Sequence, residues 1–161
     1  MTTWYSDQMT NINAVPSVKL PVSDMTGKLR AAKVSWIKSA VAGEAGDVIE
    51  ICQLPAGRVR LLGYSSALYH NMTTGSNTID IGWKAYTDLD GDAVAADPDG
   101  LDDGVSVETA GWIGVGTVAA VLALGQEKTF ESQTGVIITV TSVGIIAASD
   151  RLHGNIIYAT D

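Results

Sequence analysis

The sequence predicts an all-β protein: a β-sandwich, read further as a jelly roll of about eight strands, entered through an extended N-terminal arm. Three observations carry this. Glycine, proline and short polar clusters break the chain roughly every 8–15 residues, the spacing of turns between short strands. Several segments between those breaks alternate apolar and polar residues with a period of two. The 161 residues are 46% hydrophobic and 17% charged, a composition suited to one globular domain that buries roughly 70% of its unfolded surface.

Residues 1–28 form the arm. They show neither helical nor strand period and carry Trp4, Tyr5, Met9, Pro16 and Pro21. Proline removes a backbone donor and holds its neighbours extended. Residues 29–161 form the sandwich. In "AAKVSWIK" (31–38), Ala32, Val34 and Trp36 alternate with Lys33 and Ser35. "VIEICQL" (48–54) is apolar on both sides and reads as a central strand. After the turn "PAG", "RVRLLGYSSALYH" (58–70) turns Val59 and Leu61 inward and its arginines outward, with a bulge expected at Gly63. The loop "NMTTGSN" leads to "TIDIGWKAY" (78–86), where Ile79, Ile81, Trp83 and Ala85 share a face. An acidic loop (87–104) and "VSVE" (105–108) follow. Within 111–125, "TVAAVLAL" could make a short buried helix, but Gly111, Gly114 and Gly116 favour strand or irregular structure. "KTFES" (128–132) and "VIITVTSV" (136–143) flank the turn "QTG". In the final "RLHGNIIYATD", Leu152, Ile156 and Tyr158 share a face.

Charge and motifs narrow the function. A net charge of −8 argues against a nucleic-acid partner. The charge is uneven: residues 1–38 carry five basic and two acidic side chains, the rest sixteen acidic and five basic. The two ends are thus expected to meet different surroundings. The opening residues lack the basic start and apolar stretch of a secretory signal. "GWIGVGTVAAVLALG" is shorter than the roughly 20 residues a membrane helix needs, so a soluble protein with no membrane partner is expected. Cys52 is the only cysteine; it reads as a core side chain and rules out an internal disulfide or a cysteine-based zinc site. The sequon at Asn71 matters only in a secreted eukaryotic chain.

No catalytic set is evident. His70 and His153 are far apart and lack the close His-x-His pair of a cupin metal site; both read as surface or partly covered side chains. No Gly-x-Ser-x-Gly marks a nucleophile. "GVGTVA" (114–119) matches Gly-x-Gly-x-x-Ala but has no βαβ unit around it. The acidic stretch "DLDGDAVAADPDGLDDG" (88–104) packs seven aspartates. Asp88, Asp90, Asp92, Asp97 and Asp99 supply the oxygen type calcium needs. However, Gly91 and Gly100 stand one place after the second acidic position rather than the third, and no glutamate closes a twelve-residue loop. A solvated turn, rich in Asp and Gly for their turn chemistry, is the expectation, with no metal and no cofactor.

Read together, "LPAGRVRLLG" (54–63), "GWKAYTDLDGDAVAADPDGLDDGVSVETAG" (82–111), "KTFESQTGVIITV" (128–140) and "LHGNIIYATD" resemble, in their order, the capsid decoration or cement proteins of tailed bacteriophages. The resemblance covers residues 29–161 and rests on several phrases rather than one chemical motif. It implies a non-enzymatic β-sandwich on the outside of the head that bridges major capsid protein subunits, acting as a homo-oligomer, a trimer or dimer, with no cofactor. The arm, which the resemblance does not cover, is expected to contribute capsid or subunit contacts through Trp4, Tyr5, Lys19, Lys28 and Arg30, since aromatic and cationic side chains anchor interfaces. The alternative is a carbohydrate-binding jelly-roll module of a tail or fibre, with tryptophans stacked on sugars. Trp36 and Trp83 point inward, leaving Trp4 and Trp112 as its platform.

Overall fold

The computed structural model of the protein describes residues 28–38, 43–72 and 77–160. In chain order the strands are β1 (Lys28–Ile37), β2 (Val48–Leu54), β3 (Gly57–Leu62), β4 (Ala67–His70), β5 (Thr78–Trp83), β6 (Tyr86–Thr87), β7 (Ala93–Val94), β8 (Asp97–Ser106), β9 (Gly111–Gly114), β10 (Glu127–Ser132), β11 (Val136–Ser142) and β12 (Arg151–Thr160). A 3-10 turn occupies Gly63–Ser65 and one short helix, α1, Ala119–Leu122.

These strands resolve into eight positions in two antiparallel sheets. In the first sheet β1 pairs with β12 throughout, and β12 pairs on its other side with β4 and then β3. β3 and β4 are two halves of one position, separated by the 3-10 turn. β10 pairs with β3 and β9 with β4, so β9 and β10 are likewise two halves of one position, interrupted by residues 115–126. The second sheet runs β2-β11-β5-β8. Numbering the positions in chain order gives 1-8-3-6 facing 2-7-4-5, which is the strand order of a jelly roll. The expected jelly-roll sandwich is thus observed, the extended arm before Lys28 lying outside the described residues, and the short pair β6–β7 is an excursion from the sandwich.

Three local expectations change. Gly63 opens a 3-10 turn instead of a bulge, closed by the Ser66 N–H bonding back to the Gly63 carbonyl at 2.9 Å; a Cβ at Gly63 would run into the carbonyls of Val115 and Gln126. β2 is an edge strand of its sheet, not a central one. It looks apolar on both sides because its register against β11 skips Ile51; the bulge moves the core-facing set from Ile49 and Ile51 to Leu54. Finally, residues 111–125 are strand, irregular chain and helix in turn, and of α1 only Val121 is buried.

The core lies between the sheets. Val34, Leu54, Leu61, Leu68, Ile79, Ile81, Ile138, Val140, Leu152 and Ile156 are buried in it, each contributing about 1.5–3 kcal/mol through burial. The period-2 reading of β1 holds: Val34 is buried, Ala32 and Trp36 pack on the core, and Lys33 and Ser35 are exposed. In β5, Ile79, Ile81 and Trp83 are buried but Ala85 is exposed, the strand having ended at Trp83. Phe130 of β10 crosses the gap between the sheets to meet Trp83 edge-on, ring centroids 5.3 Å apart, with Tyr86 at 6.2 Å. On the outer surface, Arg58 and Arg60 pair with Glu131 and Glu127 of the adjacent β10 at 3.3 and 3.2 Å.

Candidate functional site: the acidic edge

The acidic stretch is not one exposed loop. Residues 88–92 form a turn organised by Asp88, whose Oδ1 accepts the N–H groups of Asp90 (3.0 Å) and Asp92 (2.8 Å). Asp97 onward is β8, the edge strand of the second sheet. Its register against β5 shifts twice, so β8 is strongly bulged. The bulges put two neighbours, Leu101 and Asp102, inside together, which regular alternation forbids.

Asp102 is fully buried. One carboxylate oxygen accepts the Gly116 N–H at 2.8 Å, and the other accepts the Thr117 N–H at 2.7 Å and the Thr117 hydroxyl. Burial pushes its carboxyl above the ordinary range, and the three donors from Thr117 and Gly116 oppose that rise. The "GVGTVA" segment therefore does cradle an anion, but an internal one. Asp102 fastens residues 115–118 to β8, aided by a Val118 N–H to Leu101 C=O bond of 3.1 Å.

Beside this anchor lies a cleft of about 360 Å³ lined by Trp83, Asp97, Asp99, Asp103, Leu124 and Lys128 among others. Gly100 shapes its floor, since a Cβ there would land on the Trp83 ring. Burial, with the hydrogen bond and charge of Asp99, raises the Asp97 carboxyl, while Lys128 pulls it back down. The Lys128 ammonium sits 4.6 Å from the centre of the Trp83 ring, a cation–π contact. A pair of abutting carboxyls with one cation is suited to accepting a further cationic group.

The other predicted residues scatter. Trp4, Tyr5 and Lys19 lie outside the described residues. Lys28 and Arg30 begin β1 at the opposite edge of the sandwich and are exposed. Asp88, Asp90 and Asp92 belong to the turn, apart from Asp97 and Asp99; among the described residues no group of three or more His, Cys, Asp or Glu side chains could hold a metal ion. His70, expected at the surface or partly covered, is fully buried, because the β4 register places it on the covered side of the sheet opposite Leu152 and Gly111. Burial lowers its pKa. His153 is half-buried, its Nδ1 3.4 Å from the Ser35 hydroxyl. The Cys52 thiol is pushed up to about 12 by burial, which removes thiolate reactivity near neutral pH. Sequence reasoning missed the anchoring role of Asp102 and the place of Lys128 in the cleft. The one available signal was Asp102-Asp103 following a leucine, which solvated turns show equally often. Among the described residues no helix is long and apolar enough to cross a membrane.

Among the described residues the geometry thus gives a jelly roll with Asp102 as a buried anchor beside an acidic cleft. No family model matches the chain, and no curated protein matches it by sequence. Among solved structures it is similar to a chain of infectious bursal disease virus, Gx strain, at 9% identity and TM-score 0.51, covering 83% of this chain and 32% of that one. It is similar too to VP2 of infectious bursal disease virus in a subviral particle, at 8% identity and TM-score 0.52, covering 83% of this chain and 33% of that one. The chain therefore spans about a third of the length of these proteins, and the likeness is one of fold.

Proposed function

We propose that this chain is a virion structural protein without enzymatic activity. It binds the outer surface of a tailed-phage head as a homo-oligomer and stabilises the shell by bridging major capsid protein subunits. The observation that most supports the reading is the eight-position jelly roll, a fold it has in common with VP2 seen in a subviral particle. The resemblance of residues 29–161 to decoration proteins supports the finer part. In this reading residues 1–28 reach a neighbouring subunit, with Trp4, Tyr5 and Lys19 acting alongside Lys28 and Arg30.

Two experiments test it. The copy number of the chain per purified virion, measured by quantitative mass spectrometry against the major capsid protein, is expected to be a sizeable fraction of the capsid subunit's. A handful of copies would move the chain to the tail, and its absence would end the virion reading. Deleting residues 2–24 is expected to weaken shell binding; unchanged affinity would remove the arm from the contact. One observation favours the carbohydrate-binding alternative: Trp112 is 68% exposed and stands edge-on to Tyr69, ring centroids 5.7 Å apart. Strong, specific binding on a glycan array, lost in Trp112→Ala, would establish that alternative.

A further inference from the structure

The two lateral edges of the sandwich are opposite in charge and in the state of their backbone. β1 holds one unbroken ten-residue register with β12, and among the described residues no other strand pairs with it. It contains neither proline nor glycine, so its outer N–H and C=O groups form a regular row that no strand among the described residues occupies, a geometry suited to receiving another chain. Lys28, Arg30 and Lys33 stand exposed along it, and among the described residues none has a carboxylate partner. Leu29 and Ile37 are exposed beside them. Across the molecule, Asp99 and Asp103 are exposed on β8 and Asp97 is half-buried next to them. Leu124, which lines the cleft with these three carboxylates, is exposed there too, about two thirds of it in solvent.

We propose that these edges are the two halves of one head-to-tail contact between copies of this chain: β1 of one copy lies along the acidic edge of a second, its cations facing Asp97, Asp99 and Asp103. Charge decides the pairing. β1 against β1 would set like charges opposite one another, which is destabilising, and two acidic edges repel equally. Only the mixed pairing neutralises both surfaces, and it gives the abutting carboxyls of the cleft the additional cation they lack. Pro98 and the bulges blunt the backbone of β8, so side chains make the contact: carboxylates to Lys and Arg, and Leu124 to exposed apolar side chains of β1. Arginine side chains such as Arg30 are frequent interface anchors. Because the two surfaces differ, the contact is heterologous, and its repetition builds a ring where the rotation closes.

The inference stands on edge geometry and charge, independent of the virion reading; copy number per virion tests that reading and self-association of the purified chain tests this one. Sedimentation velocity of the full chain over a concentration series is expected to show reversible association. Raising the salt to about 1 M, where the screening length falls to about 3 Å, is expected to weaken it at least ~10-fold. Two charge-reversed variants are made: Lys28→Glu with Arg30→Glu and Lys33→Glu, and Asp99→Lys with Asp103→Lys. All the substituted side chains are exposed, and circular dichroism confirms that each variant folds. Each alone is expected to be monomeric, and mixing the two in equal amounts is expected to restore association. A wild-type chain that stays monomeric overturns the proposal. So does loss of association in only one variant, or a mixture that stays monomeric. Association that appears only after deletion of residues 2–24 also overturns it, because the arm would then be the occupant of the β1 edge.

Discussion

β1 and β8 are both ten-residue edge strands, one in each sheet, and they solve the edge problem by opposite means. β1 is regularly paired and basic, and among the described residues its guard against strand addition is charge. β8 is acidic, proline-bearing and bulged, and Asp102 ties it inward to residues 116 and 117. An unmodified backbone edge guarded by charge excludes its own kind and admits the opposite charge. A distorted one excludes backbone pairing altogether and leaves only side chains to recognise a partner. The lesson is that a run of like charge does not specify a role. The backbone beneath it does.

The largest effect is expected where the acidic edge rests on the core. Phe130→Ala removes the ring that joins Trp83 to the opposite sheet and should cost about 3–5 kcal/mol in urea denaturation; a cost below ~1 kcal/mol would mean that β5 and β8 stand without that bridge. Next comes the anchor. Asp102→Ala strands the buried Gly116 N–H and the two partly covered donors of Thr117 and should cost about 1–3 kcal/mol. It should also speed hydrogen exchange at Gly116 and Thr117 while the β1 amides keep their protection. Gly100→Ala, which drives a Cβ into Trp83, should cost about 1–3 kcal/mol, whereas the exposed Ala31→Thr on β1 should stay within about 0.5 kcal/mol. Equal costs at both positions would erase the contrast between the edges.

A smaller effect is tied to acid. Burial depresses the folded-state pKa of His70, so between that value and the unfolded one, about 6.5, the unfolded chain binds more protons. The stability contributed by the neutral ring is therefore full above about pH 6.5 and declines as the pH falls through the folded value. Thermal melts from pH 8 to pH 5 should show this decline, and His70→Gln should flatten it. The smallest expected change is spectroscopic. Asp99→Asn removes the neighbouring charge that helps raise Asp97, so the Asp97 carboxyl should titrate at lower pH by NMR. An unmoved titration would leave burial as the dominant cause.

The sequence was legible wherever one strand face meets the core and the register is regular. Ala32, Val34 and Trp36 of β1, and Ile79, Ile81 and Trp83 of β5, announce their faces through alternation alone. It was illegible where the register breaks. The skipped Ile51 made an edge strand look central, and the double bulge of β8 put a charged side chain beside a leucine in the core. Composition misleads there, since an aspartate satisfied by backbone N–H groups and one solvated by water are the same letter. The glycines of 111–116 had the same defect: they marked irregularity, yet not that two short strands fill one position. As for the candidate site, the aspartates were singled out early, but their division into a turn, a cleft and a buried anchor depends on pairings far apart in the chain.

That shared position has a practical consequence. β9 and β10 keep their pairing with β4 and β3 although residues 115–126 detour between them, and the far end of the detour, Leu122 to Gly125, is exposed. The ladder on either side fixes both halves whatever length of chain joins them, and lengthening a surface connection costs little entropy. The protein thus carries a natural splice point. A foreign peptide, an affinity tag or a fluorophore placed after Leu124 should leave the sandwich folded while blocking the contact proposed for Leu124, and new termini opened there should be accepted as well.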